Sequence, residues 1–168
     1  MLDLNVEKFI TWLQDCEGAI LKILIDASLC SKGGGVQVAL SIINNIVLDP
    51  NFKVIFIATP ELDNQITEIV KDRISFYYVE SNENIFRKKQ QGRRIAEIEK
   101  KHVPDLVFVV FGPSYWRPKA KTLQGFALPL LVYPAIRNRI YKSNILKFVY
   151  QKILNKYKAV MMRQNADY

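Results

Sequence analysis

Three consecutive glycines, Gly33, Gly34 and Gly35, follow an apolar segment and precede a segment with helical spacing. A glycine turn at the start of a helix exposes backbone N–H groups beside the positive end of the helix dipole, which favours anions. Glycine also lets a phosphate or a sugar approach the backbone closely, because it carries no Cβ atom. The loop is not a P-loop, since no Gly-Lys-Ser/Thr follows it. The alternative is a tight turn between a strand and a helix that binds nothing.

The same loop matches a dinucleotide fingerprint only in part. Gly33 and Gly35 supply G-x-G, but Val38 stands at the position of the third glycine. The second predicted strand ends in Thr59 and Pro60, and not in the acid that would bind a ribose. A small Rossmann-type enzyme that uses a nicotinamide cofactor therefore stays open only as an alternative.

A second loop, "FGPSYWRPKAKTLQG" over residues 111–125, joins aromatic and basic residues. Tyr115, Trp116 and Arg117 are three large side chains in a row. An aromatic ring can stack on a sugar or a base, and arginine pairs with phosphate or carboxylate. The alternative is a structural loop in which Trp116 fills a gap in the packing.

The elements that must position these loops alternate along the chain. Short apolar runs predict strands over residues 21–27, 53–59, 74–80, 105–112 and 128–134. Helical spacing predicts helices over 35–48, 61–72, 84–101 and 139–161. This order predicts an α/β fold: a Rossmann-like parallel sheet with helices on both faces, over residues 21–168. Residues 1–20 are expected to form an N-terminal helical extension. Both loops fall at the carboxyl ends of strands, where such sheets bind ligands.

Charge is distributed unevenly along the sequence. The whole chain has a formal net charge of +8, and residues 106–166 hold 11 Lys and Arg but no acid. This stretch favours an anionic partner: phosphates, an anionic membrane surface or nucleic acid. A binding module for RNA or an anionic membrane is thus an alternative function, although no nucleic-acid motif is present and nucleic acid is not expected. A solvated basic face is the simplest alternative.

The last predicted helix combines apolar spacing with lysines. Its apolar residues recur at helical intervals, with Lys142, Lys147, Lys152, Lys156 and Lys158 between them. One interpretation is a helix in the membrane interface. The favoured interpretation is a helix that covers the sheet and has a lysine-rich outer face.

Several classes of protein are disfavoured. A zinc site is not expected, because His102 is the only histidine. Cys16 and Cys30 are not in a metal or redox spacing and are interpreted as reduced thiols. No apolar run reaches the roughly 18 residues of a membrane span, and the N-terminus does not resemble a secretory signal. The expected location is cytoplasmic, with peripheral association at the inner membrane face as a further possibility.

Three segments together carry a family resemblance: "GGGVQVAL", "PDLVFVVFGPSYWRPKAKTLQGFALPLLVYP" and "KYKAVMMRQNADY". They resemble the N-terminal domain of a retaining glycosyltransferase of family 4, the glycogen-synthase-like group with the two-domain GT-B fold. The resemblance covers roughly residues 21–168, and its most specific part is "FGPSYWRPK".

The resemblance implies a function and a set of site residues. Such enzymes move a sugar from a nucleotide-sugar donor, a substrate and not a cofactor, to a cell-surface polysaccharide or a lipid-linked glycan acceptor. It places Gly33, Gly34 and Gly35 near the donor's sugar and diphosphate. The acceptor side would comprise Ser114, Tyr115, Trp116, Arg117, Tyr133 and Arg137. No catalytic residue is assigned, and His102 is given no role. The family's paired glutamates and the basic residues that grip the donor belong to a C-terminal donor-binding domain, so the chain alone is expected to be inactive.

Overall fold

The computed structural model describes residue 11, residues 18–81, 88–125 and 145–165, and residue 167. Five parallel strands form one sheet in the order β3-β2-β1-β4-β5. The strands are β1 (Leu21–Asp26), β2 (Phe52–Ala58), β3 (Phe76–Val79), β4 (Leu106–Val109) and β5 (Lys121–Gln124). The helices are α1 (Gly34–Ile46), α2 (Pro60–Asp63), α3 (Glu68–Lys71), α4 (Lys88–His102) and α5 (Ile145–Asn165). The predicted α/β class with a Rossmann-like parallel sheet is confirmed.

Two apolar layers cover the sheet because successive side chains of a strand point to opposite faces. On one face Ile23 and Ile25 belong to a cluster that includes Ala39 and Ile43 of α1. On the other face Leu24 of β1 belongs to a cluster that also includes residues of α4 and Trp116; its α4 members are Ile95 and Ile98. Strands buried on both faces explain the continuous apolar runs in the sequence.

The region predicted as one helix over 61–72 contains two short helices. α2 begins after Thr59, whose Oγ1 accepts a hydrogen bond from the Leu62 N–H at 3.3 Å. α3 begins after Thr67, whose backbone is extended. The break buries Ile66, while Ile69 is left 72% exposed. The helix thus ends at Asp63 and a new one begins after the extended Thr67, although the apolar spacing continues through both.

The polar segment "KTLQ" forms β5, although the sequence predicted a loop there. It pairs with β4 in parallel, from Leu106↔Lys121 to Val109↔Gln124. The predicted strand over 128–134 lies outside the described residues. So does most of the N-terminal extension 1–20, and so do 84–87 and 139–144 of the predicted helices.

Helix α5 corrects the favoured interpretation of the last helix. Asn155 is its one buried residue, and its large apolar residues are mostly exposed. The end of the helix is fixed by polar contacts: the Gln124 side-chain amide donates to the Asn165 carbonyl at 2.7 Å, and the Asn165 amide donates to the Ser114 carbonyl at 3.1 Å. The apolar stripe of α5 therefore does not cover the sheet.

Candidate functional site: a lysine-lined cleft above the glycine loop

A cleft of about 580 Å³ lies beyond the carboxyl ends of β1 and β4. The chain leaves β1 toward β2 on one side, while β4 and β5 lie on the other, so the strand order reverses between β1 and β4. This is the place where open parallel sheets bind their ligands. The cleft is lined by Leu29, Cys30, Lys32, Gly34, Gly35, Val38, Lys88, Phe111, Gly112, Pro113, Tyr115 and Lys158.

The glycine loop forms one wall of this cleft. Gly33 precedes α1 with φ 57° and ψ −137°, a conformation that essentially only glycine adopts. No side chain caps the helix, and its first turn holds no acid. Gly34 has open space where a Cβ would stand, and a Cβ on Gly35 would lie 3.3 Å from the Phe111 ring. Gly33 thus offers no side chain to cap the first backbone N–H groups of this 13-residue helix, which begins beside the cleft.

Three lysines come to the cleft from three separate segments. Lys32 precedes the glycines, Lys88 begins α4, and Lys158 belongs to α5. The Lys88 ammonium lies 4.3 Å from the centroid of the Tyr115 ring, at cation–π distance. Burial lowers the pKa of Lys88. Among the described residues that line the cleft none is an acid, so the charge of this lining favours an anion.

The aromatic-basic loop divides between the cleft and the interior. Tyr115 lines the cleft and Arg117 is exposed. Trp116 is only 6% exposed and packs with α4 and the sheet, and Ser114 is buried. The Ser114 hydroxyl donates to the Trp116 carbonyl at 3.0 Å. Of the neighbouring rings Tyr115 and Trp116, Tyr115 is thus the accessible one, while the acceptor roles of all four residues stay predictions.

Tyr133 and Arg137 fall outside the described residues, so the structure does not place these two predicted acceptor residues.

Asp26, at the end of β1, anchors this loop to the sheet through a hydrogen bond. Its carboxylate accepts the Trp116 indole N–H at 3.2 Å and the Ser28 N–H at 3.0 Å. The group is 3% exposed, and its burial raises its pKa. Sequence reasoning did not select Asp26, although an acid at the end of a buried strand was a usable signal.

Helix α4 presses against the same loop through Gly92. A Cβ on Gly92 would lie 2.7 Å from the Tyr115 carbonyl oxygen, so only glycine permits this approach. Arg94 fixes the helix by a two-pronged ion pair with Glu80, with distances of 2.6–3.0 Å. Lys88 is thereby held over Tyr115. Sequence reasoning missed Lys88 and Lys158 as cleft residues, because their positions depend on helix packing.

The remaining titratable groups point to no second centre in the described part of the chain. His102 lies at the opposite end of α4 from Lys88, with its Nε2 2.6 Å from the Tyr78 hydroxyl. Cys30 is a free thiol whose burial raises its pKa to about 12. Among the residues that the structure describes, no three His, Cys, Asp or Glu side chains are grouped to hold a metal ion. No helix within these residues is long and apolar enough to cross a membrane.

Comparison with known proteins gives no match to a protein-family model, a curated protein or a solved structure. The chemistry of the cleft is therefore the ground for a functional assignment.

Proposed function

We propose that this chain is the acceptor-side domain of a glycosyltransferase that uses a nucleotide-sugar donor and a glycan or lipid-linked acceptor. The observation that carries the proposal is the cleft at the switch point of the sheet, where an uncapped helix N-terminus and three lysines converge. The resemblance of the glycine loop and of "FGPSYWRPK" to family-4 glycosyltransferases supports the same assignment.

The cleft suits a ligand that carries phosphate. Backbone N–H groups at the start of α1 and the lysine ammonium groups are donors, and phosphate oxygens are acceptors. The volume of about 580 Å³ falls within the range of roughly 300–1,000 Å³ that is usual for small-molecule sites. Tyr115 adds an aromatic surface on which a sugar ring can stack.

The same groups have a role in sugar transfer. When the bond between the sugar and the nucleoside diphosphate breaks, negative charge grows on the leaving diphosphate. Donors fixed by the fold stabilise that charge more in the transition state than in the ground state. The proposal gives this role to the Gly34 and Gly35 N–H groups, with Lys88 and Lys158 beside them. A C-terminal donor-binding domain would bind the nucleotide from the other side.

Val38 makes a nicotinamide dinucleotide a poorer ligand. Its side chain is 42% exposed and lines the cleft, at the position where the dinucleotide fold requires its third glycine. A branched side chain there keeps a long diphosphate ligand away from the backbone. The geometry thus favours a ligand that meets α1 at its first turn only.

Calorimetric titration with inorganic pyrophosphate, UDP, GDP, ADP and NAD at low salt tests the proposal. We expect 1:1 binding of pyrophosphate and of at least one nucleoside diphosphate. Lys88→Gln and Lys158→Gln should each weaken it about tenfold, since a charge-assisted hydrogen bond contributes roughly 1.5–3 kcal/mol. Lys53→Gln, an exposed lysine on β2 outside the cleft, is the matched control.

Three results would overturn the proposal. The first is no binding of any diphosphate. The second is binding that the cleft variants leave unchanged, which would place the anion elsewhere on the basic surface. The third is binding of NAD tighter than that of every nucleoside diphosphate, which would favour the Rossmann-type enzyme.

A further inference from the structure

We infer that α5 carries a docking surface for an anionic lipid bilayer on the side that faces away from the domain. Its apolar members are between 45% and 81% exposed. They are Ile145, Leu146, Val149, Tyr150, Ile153, Tyr157 and Val160. This set is called the outward stripe. It is separate from the cleft, so the inference does not rest on the proposed function.

The outward stripe is continuous along the helix. At about 100° per residue, its seven members fall within an arc of about 140°. Residues of the opposite side contact the domain: Asn155 is buried, and Lys158 lines the cleft. The helix thus has one side fixed to the fold and one apolar side exposed over about four turns. An apolar stripe of that length is a mark of an interaction surface.

Cations border the stripe on one edge. Lys152, Lys156 and Arg163 are all exposed, and on the helix they project within about 40° of one another, overlapping the edge of the stripe that Ile145 forms. No acid occurs between residues 106 and 166. Long basic side chains can lay their stems on acyl chains and reach lipid phosphates with their charged ends. Tyr150 and Tyr157 are amphipathic and suited to the headgroup region.

Charge complementarity selects the bilayer over other occupants. A second copy of the chain would bring two rows of cations together, with no acid on the helix to pair them. A nucleic acid would use the cations but would gain little from Ile145, Leu146, Val149 and Ile153. An anionic leaflet interacts favourably with both the apolar stripe and the cations. Its acyl chains accommodate the stripe, and its headgroups neutralise Lys152, Lys156 and Arg163.

Vesicle co-sedimentation of the full chain tests this surface. The probes are vesicles of phosphatidylcholine with phosphatidylglycerol at 3:1 and vesicles of phosphatidylcholine alone. We expect binding to the anionic vesicles only. The pair Lys152→Gln/Lys156→Gln should weaken it about thirtyfold at low salt, at about fivefold per lysine. The pair Leu146→Glu/Ile153→Glu should weaken it by more than about tenfold, by loss of inserted apolar area.

Matched controls separate the surface from general effects. Ile69→Glu changes an equally exposed apolar residue on α3, and Lys53→Gln removes an exposed charge on β2. Both should bind vesicles as the unaltered chain does. Leu146→Glu/Ile153→Glu should still bind pyrophosphate, and Lys88→Gln should still bind vesicles. The two assays therefore test the cleft and the membrane surface independently.

Four outcomes would overturn the inference. One is no binding to anionic vesicles, and another is binding that both pairs leave unchanged. The third is a concentration-dependent dimer that Leu146→Glu/Ile153→Glu abolishes without any vesicle binding, which would make the stripe a contact between copies. The fourth is tighter binding to RNA than to vesicles, lost with the lysine pair and kept with the apolar pair.

Discussion

Asp26 shows how a carboxyl group at the end of a central strand can serve the architecture of a cleft. Its two oxygens accept from a backbone N–H and from the Trp116 indole, and Trp116 is next to Tyr115, which lines the cleft. These bonds offset part of the cost of burying a carboxylate. Burial nevertheless dominates and raises the pKa of Asp26 above its ordinary value of 3.8.

The raised pKa of Asp26 predicts a pH dependence of stability. Between pH 3.8 and the higher pKa of the folded state, the folded chain binds more protons at this site than the unfolded chain. Asp26 therefore lowers the free energy of unfolding as the pH rises through that window. Asp26→Asn removes this contribution. In urea unfolding, the free energy of unfolding of the variant should therefore increase relative to that of the unaltered chain from pH 4 to pH 7.

Asp63 supplies a control of opposite sign. Lys71 lies 2.8 Å from its carboxylate, Tyr77 donates to it at 3.0 Å, and these contacts lower the pKa of Asp63. The stabilisation of the folded chain by the Asp63 carboxylate is present above the unfolded-state pKa and is lost as the pH falls. The free energy of unfolding of Asp63→Asn should thus decrease relative to that of the unaltered chain as the pH rises. Parallel slopes for the two variants would contradict the assignment.

Local sequence could predict the site residues that depend on local geometry. Gly33 was predictable, because its positive φ at the turn that starts α1 favours glycine. Lys88 and Lys158 were not, since each reaches the cleft through packing between segments far apart in the sequence. For Trp116 the sequence left open a ring that stacks on a ligand and a side chain that fills a gap; the bond of its indole N–H to Asp26, 90 positions earlier, depends on tertiary packing. Type and spacing therefore indicated one wall of the cleft, and tertiary packing supplied the charge.

At the scale of elements, the contact between α4 and the loop after β4 depends on Gly92. Because Gly92 has no Cβ, there is room for the Tyr115 carbonyl oxygen, which would lie 2.7 Å from a Cβ at this position. Gly92→Ala must separate helix and loop, so we expect thermal or urea unfolding to show a loss of about 1–3 kcal/mol. Lys88 would shift with the helix, and pyrophosphate binding should weaken as well.

Gly34→Ala is the matched control for this contact. Gly34 also lies in a helix, but nothing is within 4 Å of the position that a Cβ would take. The change should be neutral or slightly stabilising, because alanine restricts the unfolded chain more than glycine. Equal losses in the two variants would mean that the close approach at Gly92 is not the cause.

The strand β5 depends on a buried acid in α4. Glu99 is buried, and its carboxylate accepts the Lys119 N–H at 2.7 Å and the Ala120 N–H at 2.9 Å, immediately before the strand. Glu99→Ala leaves both donors without this acceptor, and we expect a loss of about 1–3 kcal/mol in urea unfolding. Glu97→Ala, an exposed acid on the same helix, should change stability by less than about 0.5 kcal/mol.

This dependence explains why β5 was not predictable. "KTLQ" has one apolar residue, and its two buried side chains, Thr122 and Gln124, are polar. The segment becomes a strand because β4 offers an edge and because two acids fix its beginning: Glu99 binds the two residues before it, and the Asp167 carboxylate accepts the Thr122 N–H at 2.9 Å. By contrast, β1, β2 and β4 are apolar runs whose burial the sequence shows directly.

At the scale of the whole molecule, the cleft should couple ligand binding to global stability. A ligand that binds only the folded chain stabilises it by about 2.7 kcal/mol at a concentration of 100 times its Kd. For a chain of 168 residues each kcal/mol raises the Tm by about 2–4 °C. Saturating pyrophosphate at low salt should therefore raise the Tm by about 5–10 °C, measured by calorimetry or by a dye-based melt.

Salt separates binding in the cleft from diffuse attraction to a chain of net charge +8. Screening by salt weakens both kinds of binding. A ligand in the cleft nevertheless retains its interactions with the helix N–H donors and with partly buried Lys88, because these groups are screened less than exposed lysines. We expect part of the Tm rise to survive at 0.5 M salt (about 4 Å screening length) in the unaltered chain and none of it in Lys88→Gln/Lys158→Gln. An equal rise in both proteins would assign the effect to the basic surface as a whole, and the cleft would then have no special affinity for phosphate.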